Sequence, residues 1–317
     1  MKIAVFGSGG IGGYFGARLA AAGGDVHFIA RGAHLEAMRR GGLRVRSLNG
    51  DLHMETVHAT DDAAAIGPVD VVFVAVKLYD TESAARDCAP LVGPGTMVVS
   101  LQNGVAAADA FAAAVGRAHV IGGLAYIFST IEAPGVIAHR GTLAKLVFGE
   151  LDGGRTPRVE ALLAACREAA IEAAISEDIT VGIWSKFAFL AALSGMTALV
   201  RLPIGPIRAE AGTRAMLRRA MEEVVAVARA KGIDLAADLV ERHMETVDGL
   251  PGDFASSMLH DLSRGRRLEL PWLSGAVAGL GRDLGVSTPT HDVICTALKL
   301  HADGGADQPI PAAKSFR

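Results

Sequence analysis

Residues 2–16 read KIAVFGSGGIGGYFG, and this stretch decides the fold of the first half of the chain. A short apolar run over residues 2–6 ends at a glycine-rich turn and is followed directly by a helical pattern. The turn fits G-x-G-x-x-G, which binds the pyrophosphate of a dinucleotide when it joins a strand to a helix. The first glycine allows the tight turn, the second lets the backbone approach the phosphates, and the third lets helix and strand pack closely. The sequence therefore predicts a cofactor loop formed by Gly7, Ser8, Gly9, Gly10, Ile11 and Gly12.

Further apolar runs follow in the first half, separated by helical stretches and turns. They lie at residues 26–30, 71–76, 97–101, 119–123, 135–139 and 144–148. Continuous apolar runs separated by helices indicate a parallel sheet that is covered on both faces. We expect the last two runs to pair as a hairpin that closes one edge of the sheet.

The second half shows helical patterns without a convincing strand. Apolar residues recur three and four positions apart over 208–231, and this segment ends at Gly232. Two further helices are predicted over 235–247 and 272–284, each followed by a glycine. The sequence therefore predicts an α/β fold, with a Rossmann-type parallel sheet domain over 1–178 and an all-helical domain over 179–317. The tail after Ala302 is predicted to be irregular.

Composition and charge exclude several classes of protein. The formal net charge of -3 gives no reason to expect a nucleic acid or a membrane surface as a partner. The longest apolar stretch, 187–200, is shorter than the roughly 20 residues of a membrane span and indicates a buried helix. The glycines near the N-terminus argue against a secretory signal, so we expect a cytoplasmic protein. Three widely separated cysteines favour a reducing compartment, and we expect all of them to be buried: Cys88, Cys166 and Cys295.

The end of the second predicted strand distinguishes NAD from NADP. An NAD-binding domain usually carries an acidic residue there, which holds the ribose 2′-hydroxyl. In this chain the strand is followed by Arg31, whereas Asp25 lies at its opposite end. A guanidinium can bind a 2′-phosphate through two hydrogen bonds, so we expect NADP(H) as the cofactor. Lys77 and Asn103 also follow predicted strands, and they should line the same crevice because parallel strands end along one edge.

Two polar residues of the second half stand in apolar surroundings. Lys186 heads the apolar stretch 187–200, where it is either a functional residue or a helix boundary. Glu269 lies between Leu268 and Leu270, where an ionised carboxylate needs a partner. That partner is either a functional group or a neighbouring arginine, and the residues alone leave both interpretations open.

Taken in order, these motifs resemble the ketopantoate reductase family over nearly the whole chain. The set comprises the glycine loop, Arg31, Lys77, Leu101-Gln102-Asn103-Gly104, Trp184-x-Lys186, Ser256-Ser257-Met258 with Asp261, and Glu269. The resemblance implies that Lys186 is the general acid that protonates the keto oxygen. It implies that Ser257 binds the substrate carboxylate and that Glu269 orients the lysine and the substrate. Lys77 is then a cofactor contact, and Asn103 contacts both the cofactor and the substrate.

The chemistry agrees with this resemblance. A hydride that arrives at a keto carbon leaves negative charge on the oxygen, and a nearby ammonium both stabilises that charge and delivers the proton. We expect a nearby carboxylate to keep this lysine charged in a desolvated cleft. No metal ion is needed, and the ten histidines are scattered along the chain, with no close pair on one helical face.

The chain departs from the family pattern along the helix that follows Lys186. The family carries asparagines four and eight residues after the lysine, on its own face, where they hold polar groups of ketopantoate. Here those positions are Leu190 and Ser194, which we place in the substrate site. Arg201 is a candidate replacement anchor for the substrate anion, and it is equally well interpreted as a cation at a helix C-terminus.

The sequence thus favours NADPH-dependent reduction of a 2-keto acid to a 2-hydroxy acid, with 2-dehydropantoate, in pantothenate biosynthesis, or the substrate of a close paralogue as the first choice. One alternative is a D-2-hydroxy-acid dehydrogenase for branched apolar 2-keto acids. Another is a non-catalytic NADP-binding sensor, which would not need Lys186, Ser257 or Glu269. We expect a homodimer formed through the helical half, whose surfaces are rich in alanine and leucine.

Overall fold

The structure is a computed structural model, and it describes residues 1–305. The chain forms two compact units, one spanning Met1–Ile183 and one that starts at Trp184. Most of the tail that the sequence predicts to be irregular, residues 306–317, lies outside the described residues. The first unit is an α/β structure and the second is helical, which confirms the predicted fold class.

The first unit contains a sheet of 10 strands with helices between them. The strands are β1 Lys2–Phe6, β2 Asp25–Ile29, β3 Leu43–Arg46, β4 Leu52–Met54, β5 His58–Thr60, β6 Val69–Val74, β7 Val92–Ser100, β8 Val120–Ala133, β9 Val136–Glu150 and β10 Glu172–Ile175. The helices are α1 Gly10–Ala21, α2 Gly32–Gly41, α3 Thr81–Asp87, α4 Ala107–Val115 and α5 Pro157–Glu168.

The strand order places the cofactor loop at the point where the chain changes direction across the sheet. The order is β4-β3-β9-β8-β7-β6-β1-β2-β5, with β10 beside β9. After β1 the chain adds β2 on one side, then returns to add β6 on the other, and all four strands from β7 to β2 are parallel. In such sheets ligands bind at this switch point, outside the carboxyl ends of the strands.

Apolar side chains of the central strand are buried on both faces of the sheet. In β1, Ile3 and Val5 belong to one hydrophobic cluster, together with Phe15 of α1. Ala4 and Phe6 belong to a second cluster, together with side chains of α3 and α4. Alternate residues of a strand point to opposite faces, so a continuous apolar run is the pattern expected of a strand covered on both sides.

The structure corrects the predicted hairpin. The apolar runs 135–139 and 144–148 are parts of one long strand, β9, and they do not pair with each other. β9 pairs antiparallel with β8, and the sheet continues beyond it with β3 and β4 instead of ending there. The short strands β3, β4, β5 and β10 escape the sequence analysis because pairing with distant residues, and not a local apolar pattern, makes them strands.

The second unit is built from helices. They are α6 Ile179–Val200, which begins in the first unit, α7 Ile204–Ala209, α8 Ala211–Ala230, α9 Leu239–Gly249, α10 Ser257–Ser263, α11 Ser274–Leu284 and α12 Pro289–Leu298. The predicted helix over 208–231 is split, because the Glu210 carboxylate accepts the N–H groups of Gly212 and Thr213 and so caps a new helix. The glycine expected after 272–284 ends α11 in the left-handed conformation, with φ of 69° at Gly285.

Two expectations about buried residues have different outcomes. Within the described chain, α6 is the one helix with the length and hydropathy of a membrane span, but 61% of its most apolar window is buried, as in a core helix. The cysteines are unpaired, and Cys88 and Cys166 are buried as predicted. Cys295 is only half-buried, which corrects the prediction for that residue.

Candidate active site

The three glycines of the G-x-G-x-x-G motif have different surroundings in the loop. Gly7 has φ of 97°, a conformation that side chains disfavour, and an added Cβ would meet the Val76 backbone nitrogen at 2.7 Å. An added Cβ at Gly12 would collide with the Gly7 carbonyl and with Val5, so α1 packs directly on β1. At Gly9 the first atom that a Cβ would meet is Ile131 Cδ1, at 4.0 Å. The loop is therefore closed toward the sheet and open in front of the second glycine.

The open position of the loop, at Gly9, lies at the N-terminus of α1. This helix has Gly9 as its N-cap, and among the described residues no side chain caps it and no acidic residue stands in its first turn. The first N–H groups of a helix carry partial positive charge, so this position favours an anion. Ser8 is fixed against β2, because its N–H and its hydroxyl both donate to the Ile29 carbonyl oxygen at 3.0 Å.

Arg31 follows the end of β2, beside this loop. Its side chain is 64% exposed, and its nearest carboxylate is that of Asp87 at 3.9 Å. Such an exposed, long ion pair is worth little, so the guanidinium is available to a ligand. Asp25, by contrast, begins β2 and pairs with His27 at 3.0 Å, at the opposite end of the strand.

Lys77 and Asn103 follow the neighbouring strands β6 and β7, and both are half-buried. Gln102, which the sequence analysis quoted without a role, connects their two loops. Its side-chain amide donates to the Val76 carbonyl at 3.1 Å and to the Thr81 hydroxyl at 2.8 Å, and its oxygen accepts from the Ser100 hydroxyl. Gln102 is buried and thus fixes the two segments that carry Lys77 and Asn103. The only signal in the sequence was a polar residue directly after an apolar strand.

In the second unit, Lys186 lies inside α6 and not at its start. The helix begins at Ile179, about two turns before the lysine. Burial lowers the pKa of Lys186 to about 8. An ammonium with a pKa near neutrality is a better proton donor than an ordinary lysine, while it is still mostly charged at pH 7. His243 of α9 contacts the adjacent turn, with Nε2 2.9 Å from the Ser185 carbonyl oxygen.

The two positions that follow Lys186 on its face of α6 differ in their exposure to solvent. Leu190 lies one turn after Lys186 on the same face and is half-buried, whereas Ser194 is only 2% exposed. We therefore expect Leu190 to line the substrate site more directly than Ser194. Arg201 follows the end of the helix, about 22 Å along its axis from Lys186.

The position of Arg201 favours the second of its two interpretations. A small keto acid cannot span the distance from Lys186 to Arg201 along one helix. The residue has φ of 57°, the left-handed conformation that ends a helix. Its side chain is hydrogen-bonded to His301, with 2.9 Å between Nη2 and Nε2. The alternative interpretation, a cation at a helix C-terminus, fits this geometry.

The two serines before α10 have different surroundings. Ser256 is buried and caps the helix, because its hydroxyl accepts the Leu259 N–H at 3.1 Å. The same hydroxyl lies 2.7 Å from the hydroxyl of Thr197 on α6. With both bonds made, Ser256 has a structural role that links α10 to α6. Ser257 is exposed at the first position of α10, which leaves it the better placed of the two for a ligand.

Glu269 lies in a loop that is held at both sides. Its side chain is 7% exposed, and a short helical turn follows it at Leu270–Trp272. The preceding residue, Leu268, donates its N–H to the Ala302 carbonyl at 2.8 Å. The guanidinium of Arg267 lies 5.5 Å from the centre of the Trp272 ring. Both contacts keep the segment that carries this buried carboxylate in place.

Comparisons with known proteins agree on one family. The profile of "Ketopantoate reductase PanE/ApbA" matches residues 3–153, and the profile of its C-terminal part matches residues 178–302. A 2-dehydropantoate 2-reductase of Mesorhizobium japonicum is 36% identical over 94% of this chain and 97% of its own length. The crystal structure of a PanE/ApbA family ketopantoate reductase from Ralstonia eutropha is 31% identical, with a TM-score of 0.88, over 95% of this chain and 98% of its own. A D-mandelate dehydrogenase solved with NADH and anilino(oxo)acetate shares the fold, with a TM-score of 0.87 and 21% identity over 95% of this chain and 98% of its own.

Proposed function

Since the chain belongs to the ketopantoate reductase family, a family of oxidoreductases, we propose that it reduces a 2-keto acid to the corresponding 2-hydroxy acid with NADPH. The observation that carries the proposal is the lysine inside α6, whose pKa burial lowers to about 8. In this family a lysine at this position is the expected proton donor. A lysine with no chemical role would more often lie in solvent with an ordinary pKa.

The residues of the first unit fit a nicotinamide dinucleotide. Gly9 leaves room for a pyrophosphate at the N-terminus of α1, and Arg31 stands exposed beyond the end of β2, where a 2′-phosphate would lie. Lys77 and Asn103 follow the next two strand ends, toward the nicotinamide side of the crevice. The bound dinucleotide supplies the hydride. The protein residues hold it, with Arg31 selecting NADPH over NADH.

The residues of the second unit supply the proton and hold the substrate. Lys186 donates a proton from Nζ to the keto oxygen as negative charge develops there, and its ammonium stabilises that charge before the transfer. Glu269 keeps the lysine and the substrate in orientation from its buried loop. The Ser257 hydroxyl donates a hydrogen bond to the substrate carboxylate. Ser194 provides at most a minor polar contact, because it is almost fully buried.

Two substrate classes are compatible with this site. The names of the relatives favour 2-dehydropantoate, and pantothenate biosynthesis would then be the setting. Leu190 favours the second candidate, a branched apolar 2-keto acid, because a leucine cannot accept or donate a hydrogen bond to the substrate hydroxyl. Burying that hydroxyl without a partner costs about 1–3 kcal/mol. We further propose a cytoplasmic homodimer that associates through the helical unit.

The experiment that tests the proposal is a panel of 2-keto acids with the purified protein and NADPH. The panel contains ketopantoate, its analogue without the hydroxyl, 2-ketoisovalerate and pyruvate, and the loss of NADPH absorbance gives kcat/KM for each. The expected result is turnover of at least one branched 2-keto acid, lowered roughly 10²–10⁴-fold in Lys186→Ala. NADPH binding without turnover of any of them would contradict the proposal and favour the sensor.

A further inference from the structure

A histidine connects the cofactor loop to the turn between β8 and β9. His34 lies in α2, and its Nε2 is 2.9 Å from the Ser8 carbonyl oxygen in the glycine loop. Its Nδ1 accepts a hydrogen bond from the Gly135 N–H at 3.0 Å. The ring thus joins two segments that lie 26 and 101 positions away in the sequence.

The two partners determine the protonation state of the ring. A carbonyl oxygen only accepts hydrogen bonds, so Nε2 carries the proton, and Nδ1 must be bare to accept the Gly135 N–H. A protonated ring would direct a second N–H at Gly135 and would break that bond. Burial lowers the pKa of His34, against the opposing effect of its bond to Ser8, and so favours the neutral form.

This connection acts where the loop is otherwise held by close packing. The backbone of Ser129 in β8 lies so near Gly10 that a Cβ there would collide with it, and Ile131 is the neighbour of the open position at Gly9. The Ile29 carbonyl oxygen at the end of β2 accepts hydrogen bonds from the loop, and the Ser129 backbone in β8 packs against Gly10. Through its two hydrogen bonds, the His34 side chain joins the loop to the turn between β8 and β9.

The charged side chains on the segments around this ring are exposed, and they include Arg40 of α2 and Arg44 of β3, whose backbone N–H donates to the Gly135 carbonyl oxygen. Others form exposed ion pairs: Arg31, just before α2, with Asp87; Glu36 with Arg39 on α2; and Glu132, at the end of β8, with Arg46. The glycine loop itself contains no titratable side chain. These groups are the same in the wild type and in the His34 variants, so a pH effect that differs between the two belongs to the ring.

We infer that His34 is a positioning residue, which in its neutral Nε2–H form holds the glycine loop and the β8–β9 turn in the shape that receives the cofactor pyrophosphate. The inference rests on the proposed function in that the ligand is NADPH. His34, which lies outside the glycine motif, then contributes to NADPH affinity, and that affinity decreases at acidic pH.

The test compares NADPH affinity among variants that keep one, the other or neither of the two His34 hydrogen bonds, to Ser8 and to Gly135. His34→Gln keeps a donor for Ser8 and loses the acceptor for Gly135, whereas His34→Asn keeps the acceptor and loses the donor. His34→Ala loses both, and we expect about tenfold weaker binding or more, with the two amides intermediate. His119→Gln is the matched control, because His119 contacts the Thr96 carbonyl oxygen at 3.0 Å and not the loop.

The pH dependence separates positioning from a loss of packing. From pH 7.5 down to the lowest pH at which both proteins stay folded, the wild-type protein should lose affinity toward the level of His34→Gln, because protonation removes the same bond that the variant lacks. The 2′-phosphate titrates equally in both proteins, so their ratio isolates the ring. A constant ratio across this range would overturn the inference, as would His34→Ala binding NADPH like the wild type.

Hydrogen exchange measured without cofactor keeps this inference separate from the proposed function. The Gly135 amide should exchange faster in His34→Ala and His34→Gln than in the wild type or in His34→Asn. A wild-type protein that binds no NADPH would refute the proposed function, and unchanged exchange at Gly135 would overturn the role of His34 by itself.

Discussion

The sharpest prediction concerns the pH at which Lys186 loses its proton. If this lysine is the general acid, reduction requires the ammonium form, so kcat/KM in the reducing direction should be level near pH 7 and should fall as pH rises through about 8. In the oxidising direction the same group acts as a base, so kcat/KM should rise through the same pH. If kcat/KM falls in the reducing direction and rises in the oxidising direction with the same midpoint, a single acid–base group is responsible for both changes.

The magnitude follows from the pKa that burial produces. One pH unit above a pKa of about 8, about one lysine in ten remains protonated, so reduction at pH 9 should be about tenfold slower than at pH 7. A lysine with the ordinary value of 10.5 would be almost fully protonated at pH 9, and the rate would not fall. The two cases therefore differ by about an order of magnitude in a single measurement.

Other groups that could produce such a midpoint can be separated from Lys186. Burial raises the pKa of Cys88, Cys166 and Cys295 to about 11, about 12 and about 11, so these thiols do not titrate near pH 8. Cys295→Ala should keep the midpoint and is the control. Lys186→Ala should lower kcat by roughly 10²–10⁴-fold with NADPH affinity unchanged, and its residual rate should lack the midpoint. A wild-type rate that stays level to pH 10, or a midpoint that survives in Lys186→Ala, would refute the assignment.

Three further predictions concern the cofactor and the substrate. Arg31→Ala should weaken NADPH binding roughly ten- to hundredfold and leave NADH binding unchanged in paired titrations, with Asp87→Ala as the control; equal affinities of the wild type for both cofactors would contradict this role. Glu269→Ala should lower kcat and raise KM together, because this residue is proposed to orient both the lysine and the substrate; a change in only one of the two would argue against it. Leu190→Asn should shift the kcat/KM ratio toward ketopantoate over its analogue without the hydroxyl, by about tenfold for 1.4 kcal/mol. A wild-type enzyme that already prefers ketopantoate strongly would show that Leu190 does not decide specificity.

The sequence predicted the glycine-rich turn between strand and helix, and the strand ends around it, because their signals are local. A glycine that needs φ of 97°, and an apolar run covered on both faces, are visible in a few consecutive residues. The fold class and the order of the helices follow from similar short-range patterns. The long strand β9 and its short neighbours β3 and β10 depend on pairing between distant segments, which no local pattern of residues specifies.

The residues that the sequence analysis missed share one property. Gln102 and His34 are polar side chains that each bond a backbone group of another loop 26 positions away, Val76 and Ser8 respectively. The structural role of each residue depends on which distant segment packs beside it, and residue type alone does not reveal that role. Arg201 shows the converse case: its charge alone left an anion site open, whereas the length of α6 places it about 22 Å from Lys186.

The departure at Leu190 connects specificity to acid strength. This side chain lies one turn from Lys186 on the same helix face, so an apolar group there removes water from the lysine as well as from the substrate. An asparagine at that position would hydrate the ammonium and would raise the pKa of Lys186 from about 8 toward its ordinary value. Leu190→Asn should therefore move the alkaline midpoint of the reduction upward, together with the change in substrate preference. Leu190→Met, which keeps an apolar side chain of similar volume, should change neither. A midpoint that stays in place while specificity changes would show that other residues around α6 desolvate Lys186, and that the two properties are independent.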